Sequence, residues 1–261
     1  MFRSLATAAS GMEAQQTKLD VTANNIANVS TNGFKKGRAE FADLMYQQIR
    51  PAGAPTGNGT SAPTPTEVGL GTRLTGTSRE LTQGELHQTG HQLDIAIQGK
   101  GFLPVTMPDG STTYTRNGSL QLDATGKLVT SDGYPIAGEI TVPPDAQSVT
   151  IAANGQVSAT IPNEAQPVIL GQMQIASFAN PGGLAAQGST LFRETSASGS
   201  AVLGNPGEGG AGTLSQGALE ISNVNVVEEM IDLIAGQRAY EVNSRVVKAA
   251  DEMLADTAQL R

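Results

Sequence analysis

The sequence predicts an α+β protein, with terminal helices pairing as a coiled-coil-like helical domain around a central all-β domain. Three observations carry this. Apolar residues recur every seven positions at both ends, and the interior alternates with period two between turn dipeptides. A stretch rich in Pro and Gly separates the first helix from the β region. The expected partition is an N-terminal helix in 1–33, a helical patch and extended arm in 34–72, the β domain in 73–220 and a C-terminal helix in 221–261.

In the first helix Leu5, Met12, Leu19 and Ile26 form a column seven residues apart, with Ala8, Ala9 and Ala23 beside it. In the last, Val226, Leu233, Tyr240, Val247 and Leu254 repeat the spacing, flanked by Met230, Ile234, Val246 and Met253. Such narrow seams suit contact with another helix. Ser222, Asn223 and Asn225 supply capping side chains ahead of the second seam, and Glu228, Glu229 and Asp232 follow where the helix dipole favours anions. Residues 1–50 carry six basic and four acidic groups, whereas 220–261 carry four basic and eight acidic, so opposite charge favours association of the ends. Gln15, Gln16, Thr22, Gln237 and Ser244 interrupt the seams. Helices of this length are marginal alone in water, so both ends are expected to be mobile in a free monomer and ordered by assembly. Periodicity does not name the partner, and packing of each helix on the β domain is the alternative.

After the first helix, Phe41, Leu44, Met45 and Ile49 suggest a short helical patch. Residues 51–66, PAGAPTGNGTSAPTPT, contain four prolines and three glycines and read as an extended arm without regular structure. Beyond it Leu93, Ile95 and Ile97 alternate as one face of a strand. The pairs Asp109-Gly110, Asn117-Gly118, Thr125-Gly126 and Asp132-Gly133 suit successive hairpins, and Asn154-Gly155 marks another.

The chemistry-bearing residues are sparse. A net charge of −8, from 16 basic and 24 acidic groups, disfavours an electrostatic grip on nucleic acid. Cys is 0, which removes thiol nucleophiles and cysteine metal sites. His87 and His91 lie four apart in HQTGH, but Gly90 opposes a helix and no glutamate follows the first His, so they read as turn residues. Glu228-Glu229 and Asp251-Glu252 read as a solvated helix face. No catalytic, cofactor-binding or metal-binding residues are expected. No stretch approaches the roughly 20 apolar residues of a membrane span, and the opening residues lack the apolar run of a cleaved secretory signal.

The words at the two ends are more specific than their spacing. VTANNIANVSTNGFKK, residues 21–36, with Asn24, Asn25, Asn28, Gly33 and Phe34, resembles the N-terminal signature of the bacterial flagellar rod and hook family. SNVNVVEEM at 222–230 and QRAYE at 237–241, with Asn223, Asn225, Gln237 and Arg238, resemble its C-terminal signature. The segment from Leu81 to Phe102 is similar to the opening of the family's β domain. Within the family the likeness is greatest to distal rod subunits, with proximal rod subunits as the alternative; a secreted β-domain adhesin is the reading outside it. The resemblance implies a structural, non-enzymatic subunit of the basal body that forms a helical homopolymer through its terminal seams and transmits torque to the hook. It also implies passage through the flagellar export apparatus without a cleaved signal, and contacts with proximal rod proteins, the hook protein and the outer ring that acts as a bushing.

Overall fold

The computed structural model describes residues 2–57, 60–138, 140–162, 164 and 166–259. The chain divides into two compact units, one made of 1–27, 37–78 and 225–261, the other of 28–36 and 79–224. The fold is α+β, as the sequence predicts.

The first unit is built on helices α1 (Phe2–Ala27) and α2 (Val226–Gln259). They run antiparallel, because Asn25 meets Glu229, Lys18 meets Asp232 and Gly11 meets Asn243. The centre of their interface is made of small and polar groups: Ala8, Ala14, Thr22, Asn25 and Ala250 are buried. Two helical glycines belong to the same surface. A methyl group at Gly236 would stand 2.9 Å from Leu19 Cδ2, and one at Gly11 would stand 2.9 Å from Asn243 Nδ2. Each glycine costs about 1 kcal/mol of helix propensity, so close approach of the two backbones is what explains their presence. Lys18 Nζ and Asp232 Oδ1, 2.9 Å apart, realise the opposite charge of the two ends.

The remainder of this unit corrects two expectations. The segment with Phe41, Leu44, Met45 and Ile49 is not a helical patch; it holds strands β1 (Gly37–Asp43) and β2 (Gln47–Arg50). The arm of residues 51–66 is not irregular throughout. Strands β3 (Pro55–Gly57) and β4 (Thr60–Ser61) pair with each other, β2 pairs antiparallel with β5 (Thr66–Val68), and β1 pairs with β6 (Thr72–Arg79). The nested pairs form a long ribbon. Prolines tolerate this because two-stranded ribbons have only edges, where a missing N–H need not break a ladder. Asn58 and Gly59 lie outside the described residues.

The second unit is all β and contains the apolar core. Ile95, Ile97, Leu103, Leu120, Leu128, Val157, Met173, Ile175 and Leu214 are among its buried members. Strand Ile95–Gln98 pairs antiparallel with Thr213–Gln216, and Leu86–Gln88 pairs with Ala218–Glu220, so the start and end of the β region close on each other. Ala96 is buried as well as Ile95 and Ile97, so both faces of that strand are covered. A four-stranded sheet runs in the order Ala185–Gly188, Leu191–Arg193, Thr112–Thr115, Leu103–Thr106. Phe102 packs edge-on against Phe178 and Phe192 at 5.8 and 5.7 Å. Gly110, Gly126, Gly133 and Gly155 occupy turns at positive φ, as their dipeptides predict. Asn117-Gly118 is the exception. Gly118 lies against the Ile95 carbonyl, where a Cβ has no room, so this glycine serves close packing instead of a hairpin turn.

Candidate functional site

In the β unit the residues of the two terminal signatures meet. Gly33, at φ +70°, donates its N–H to Glu220 O at 2.7 Å, and a Cβ there would stand 2.6 Å from Asn117 N. Only glycine meets both demands. The turn before it is closed by Thr31, whose N–H and hydroxyl donate to Asn28 O and Oδ1, each at 3.2 Å. Phe34 is buried under the Arg79 guanidinium, 5.8 Å from the ring centre.

Next to Phe34 lies a buried ion cluster. The Lys35 ammonium donates to Glu220 Oε1 and to Thr82 O, the latter at 2.7 Å. Glu220 Oε1 also accepts the Gly84 N–H at 2.9 Å, while Arg116 Nη1 stands 3.4 Å from Glu220 Oε2. Arg116 Nη2 donates to Gly99 O at 2.7 Å. Burial pulls both Lys35 and Arg116 below their ordinary ranges, and the Glu220 carboxylate opposes that shift in each. Asn223 completes the junction: its Oδ1 accepts the Lys36 N–H at 2.8 Å and its Nδ2 donates to Glu80 O at 2.8 Å. Such a cluster is an expensive way to gain stability, but removing one partner strands the other charges. Its chemical role is to make the segments around positions 35, 116 and 220 mutually dependent.

The helical unit has a second anchor. Asn25, buried, exchanges two hydrogen bonds with the Gly37 backbone, at 2.9 Å each, and donates to Glu229 Oε2 at 3.0 Å. One amide thus ties α1 to the ribbon and to α2. Asn225 Oδ1 accepts the Val227 N–H at 3.1 Å and caps α2. Glu229 is therefore not part of a solvated face, since it is buried against Asn25.

The seam residues divide. Leu5, Met12, Leu19, Ile26, Leu233, Val247 and Leu254 are half-buried within the unit already, whereas Val226, Met230 and Tyr240 stay exposed. Within α2 the largest apolar exposure lies on the side turned away from α1. There Val227, Ile231, Ile234 and Val242 are 65%, 62%, 54% and 57% exposed, with Val246 and Met253 continuing the stripe. Asn24, Gln237 and Arg238 are also exposed, and Arg238 Nη1 lies 3.4 Å from Glu241 Oε2.

Sequence reasoning did not single out Lys35, Arg116 or Glu220 as functional, and of the outward stripe it named Ile234, Val246 and Met253 beside the seam but not Val227, Ile231 or Val242. Lys35 lies within the first signature word and Glu220 two residues before the second, and that placement was the available signal. His87 lies in strand Leu86–Gln88 and His91 in the turn that follows. Among the described residues no helix is long and apolar enough to cross a membrane.

Paired terminal helices with an apolar outer face, and a β unit that unites both terminal signatures, define a subunit of the rod and hook class. Family models agree along the chain: "Flagella basal body rod protein" matches residues 5–35, "Flagellar hook protein FlgE/F/G D1 domain" matches 96–159, and "Flagellar basal body rod FlgEFG protein C-terminal" matches 215–260. The flagellar basal-body rod protein FlgG of Caulobacter vibrioides is 48% identical over 261 residues, with 100% of each chain covered. FlgG of Buchnera aphidicola subsp. Acyrthosiphon pisum is 46% identical over 260 residues at the same coverage, and that of Agrobacterium fabrum 49% over 253 residues, covering 97% of each. The chain belongs to the FlgG family of flagellar basal-body rod proteins, and it is a structural subunit of the flagellar rod.

Proposed function

We propose that this chain is the repeating subunit of the distal rod, polymerising head to tail through the outward face of α2. The observation that carries this reading is the exposed stripe from Val227 to Met253 in a protein of this family. An open heterologous contact, repeated by a rotation that does not close, yields a helical shaft. Each apolar side chain buried in that contact contributes about 1.5–3 kcal/mol. The half-buried seam residues Leu5, Met12, Leu19, Ile26, Leu233, Val247 and Leu254 hold the helix pair together, and exposed Val226, Met230 and Tyr240 reach neighbours at its margins, in coiled-coil fashion. The ribbon of residues 37–79 adds exposed Met45, Tyr46 and Ile49 as a further contact between copies. The buried junction of Lys35, Arg116 and Glu220 makes the β unit rigid enough to carry torque. The shaft so formed meets proximal rod proteins at one end, the hook protein at the other and the bushing ring around it. The subunit reaches this place through the flagellar export apparatus, with no cleaved signal.

Electron microscopy of the purified chain tests the reading. Tubular polymers are expected from the parent protein, and Ile231→Asp with Val242→Asp abolishes them while the circular dichroism of the monomer is retained. Polymers that persist in this double variant would place the inner contact elsewhere.

A further inference from the structure

Resting on that reading, the geometry points to the neighbour that covers α2: it is α1 of a second copy, held in register by Glu13 against Arg245 and Asp20 against Arg238. The side of α1 turned away from α2 is exposed at Ala6, Ala9, Glu13, Gln16, Asp20 and Ala27. It is small in side-chain volume and acidic at two points seven residues apart. The outward stripe of α2 is bulky, and at its centre stand exposed Arg238 and Arg245, also seven apart. On a helix, seven residues are two turns and about 10 Å, so both pairs of opposite charge can close together.

Direction follows from symmetry. Within one chain α1 and α2 are antiparallel, and a rotation about a shaft lying along the helices preserves direction. The neighbour's α1 therefore also runs antiparallel to this α2, which sets Glu13 opposite Arg245 and Asp20 opposite Arg238. The same register brings Arg3 to the level of Glu252 and Asp256. Within the chain Gly11 faces Asn243 and Asn25 faces Glu229, so the contact between copies is displaced by four residues from the contact within one, about 6 Å along the axis. The alanines of α1 let it approach the Val and Ile side chains of α2, while the exposed ion pairs, worth little each, choose among registers that the apolar stripe alone would permit.

The chain has no Cys, which makes crosslinking clean. Positions 13 and 245 lie on opposite sides of one helix pair, so a disulfide between them must join two copies. Glu13→Cys with Arg245→Cys gives a ladder of oxidised multimers under polymerising conditions; Glu13→Cys with Arg238→Cys, out of register by about 10 Å, does not. Arg238→Glu with Arg245→Glu raises the critical concentration about tenfold. Adding Glu13→Arg and Asp20→Arg to that variant returns it to within about threefold of the parent. Equal ladders from both cysteine pairs, no ladder from a polymerising chain, or no rescue by the fourfold reversal overturns the register and leaves the distal-rod reading standing. A parent chain that forms no polymer at all overturns that reading, and the register with it.

Discussion

In the β unit Ile95, Ile97, Leu103 and Val157 are sealed from water together with an ammonium, a guanidinium and a carboxylate. In the helical unit the sealed positions at the interface are alanine, threonine, asparagine and one carboxylate, Glu229, while valine and isoleucine face outward. The sheet structure seals most of its large apolar residues in a core of its own, although Ile169, Val202 and Leu203 stay at its surface. A helix pair joined through its smallest side chains has little hydrophobic burial of its own and keeps the bulk of it for other copies. The difference separates two tasks in one chain: the first unit to assemble, the second to hold shape once assembled.

The largest effect follows from breaking the ion cluster. Glu220→Ala leaves Lys35 and Arg116 buried without their shared carboxylate and is expected to cost about 3–5 kcal/mol of β-unit stability. Lys35→Met costs less, because Arg116 still faces Glu220. Hydrogen exchange at the amides of Ile95, Leu103 and Tyr114 measures both. A loss below about 1 kcal/mol in Glu220→Ala would mean that the cluster does not hold the unit together.

Asn25→Ala probes the helical side. It removes two bonds to Gly37 and one to Glu229, and leaves a buried carboxylate short of a donor, at an expected cost of about 2–3 kcal/mol. Protection is expected to fall in α1, α2 and β1 while the β-unit amides keep theirs. Equal losses in both units would erase the distinction between them.

These residues also mark how far the sequence could be read. The helices, the turns at Gly110, Gly126, Gly133 and Gly155, and the asparagine words were legible, because each is a local pattern with a local cause. The ribbon was not. Phe41, Met45 and Ile49 stay exposed, and where no face is buried the spacing of apolar residues carries no information about period. The junction was invisible for another reason: Lys35, Arg116 and Glu220 are brought together by strand pairing, and charge pairing across long separations has no signature in a single sequence. The outward stripe was read only in part: Ile234, Val246 and Met253 stood out beside the heptad column, whereas Val227, Ile231 and Val242 did not, since α2 is apolar on two sides and the spacing of seven selects only one.

A matched pair of core and surface substitutions sharpens the comparison by the contrast between its members. Leu103→Ala, at a position with no exposure, is expected to cost about 2–5 kcal/mol. Val242→Ser, more than half exposed on α2, is expected to change monomer stability by no more than about 0.5 kcal/mol. Urea denaturation of both at a concentration below polymerisation tests this. A Val242→Ser chain destabilised as much as Leu103→Ala would show that the outward stripe is already covered within the monomer.

The smallest effect is electrostatic and belongs to a turn at the surface of the β unit. The Asp123 carboxylate accepts the Thr125 hydroxyl at 2.7 Å, and the Lys127 and Thr125 amides at 2.9 and 2.8 Å. These donors, with the hydroxyl foremost, hold its carboxyl below the usual aspartate range. Because the folded value is the lower one, the unfolded chain binds more protons between the two values, and folding gains stability as pH rises through that window. The gain is complete above the ordinary aspartate range and is lost as pH falls through the depressed value. Asp123→Asn keeps an acceptor but no charge, so its melting temperature should lie slightly below the parent's at pH 7 and converge with it toward pH 2. A gap between the two that stays constant down to that pH would mean that the turn is held by hydrogen-bond geometry and not by the charge, leaving the buried cluster as the β unit's main electrostatic dependence.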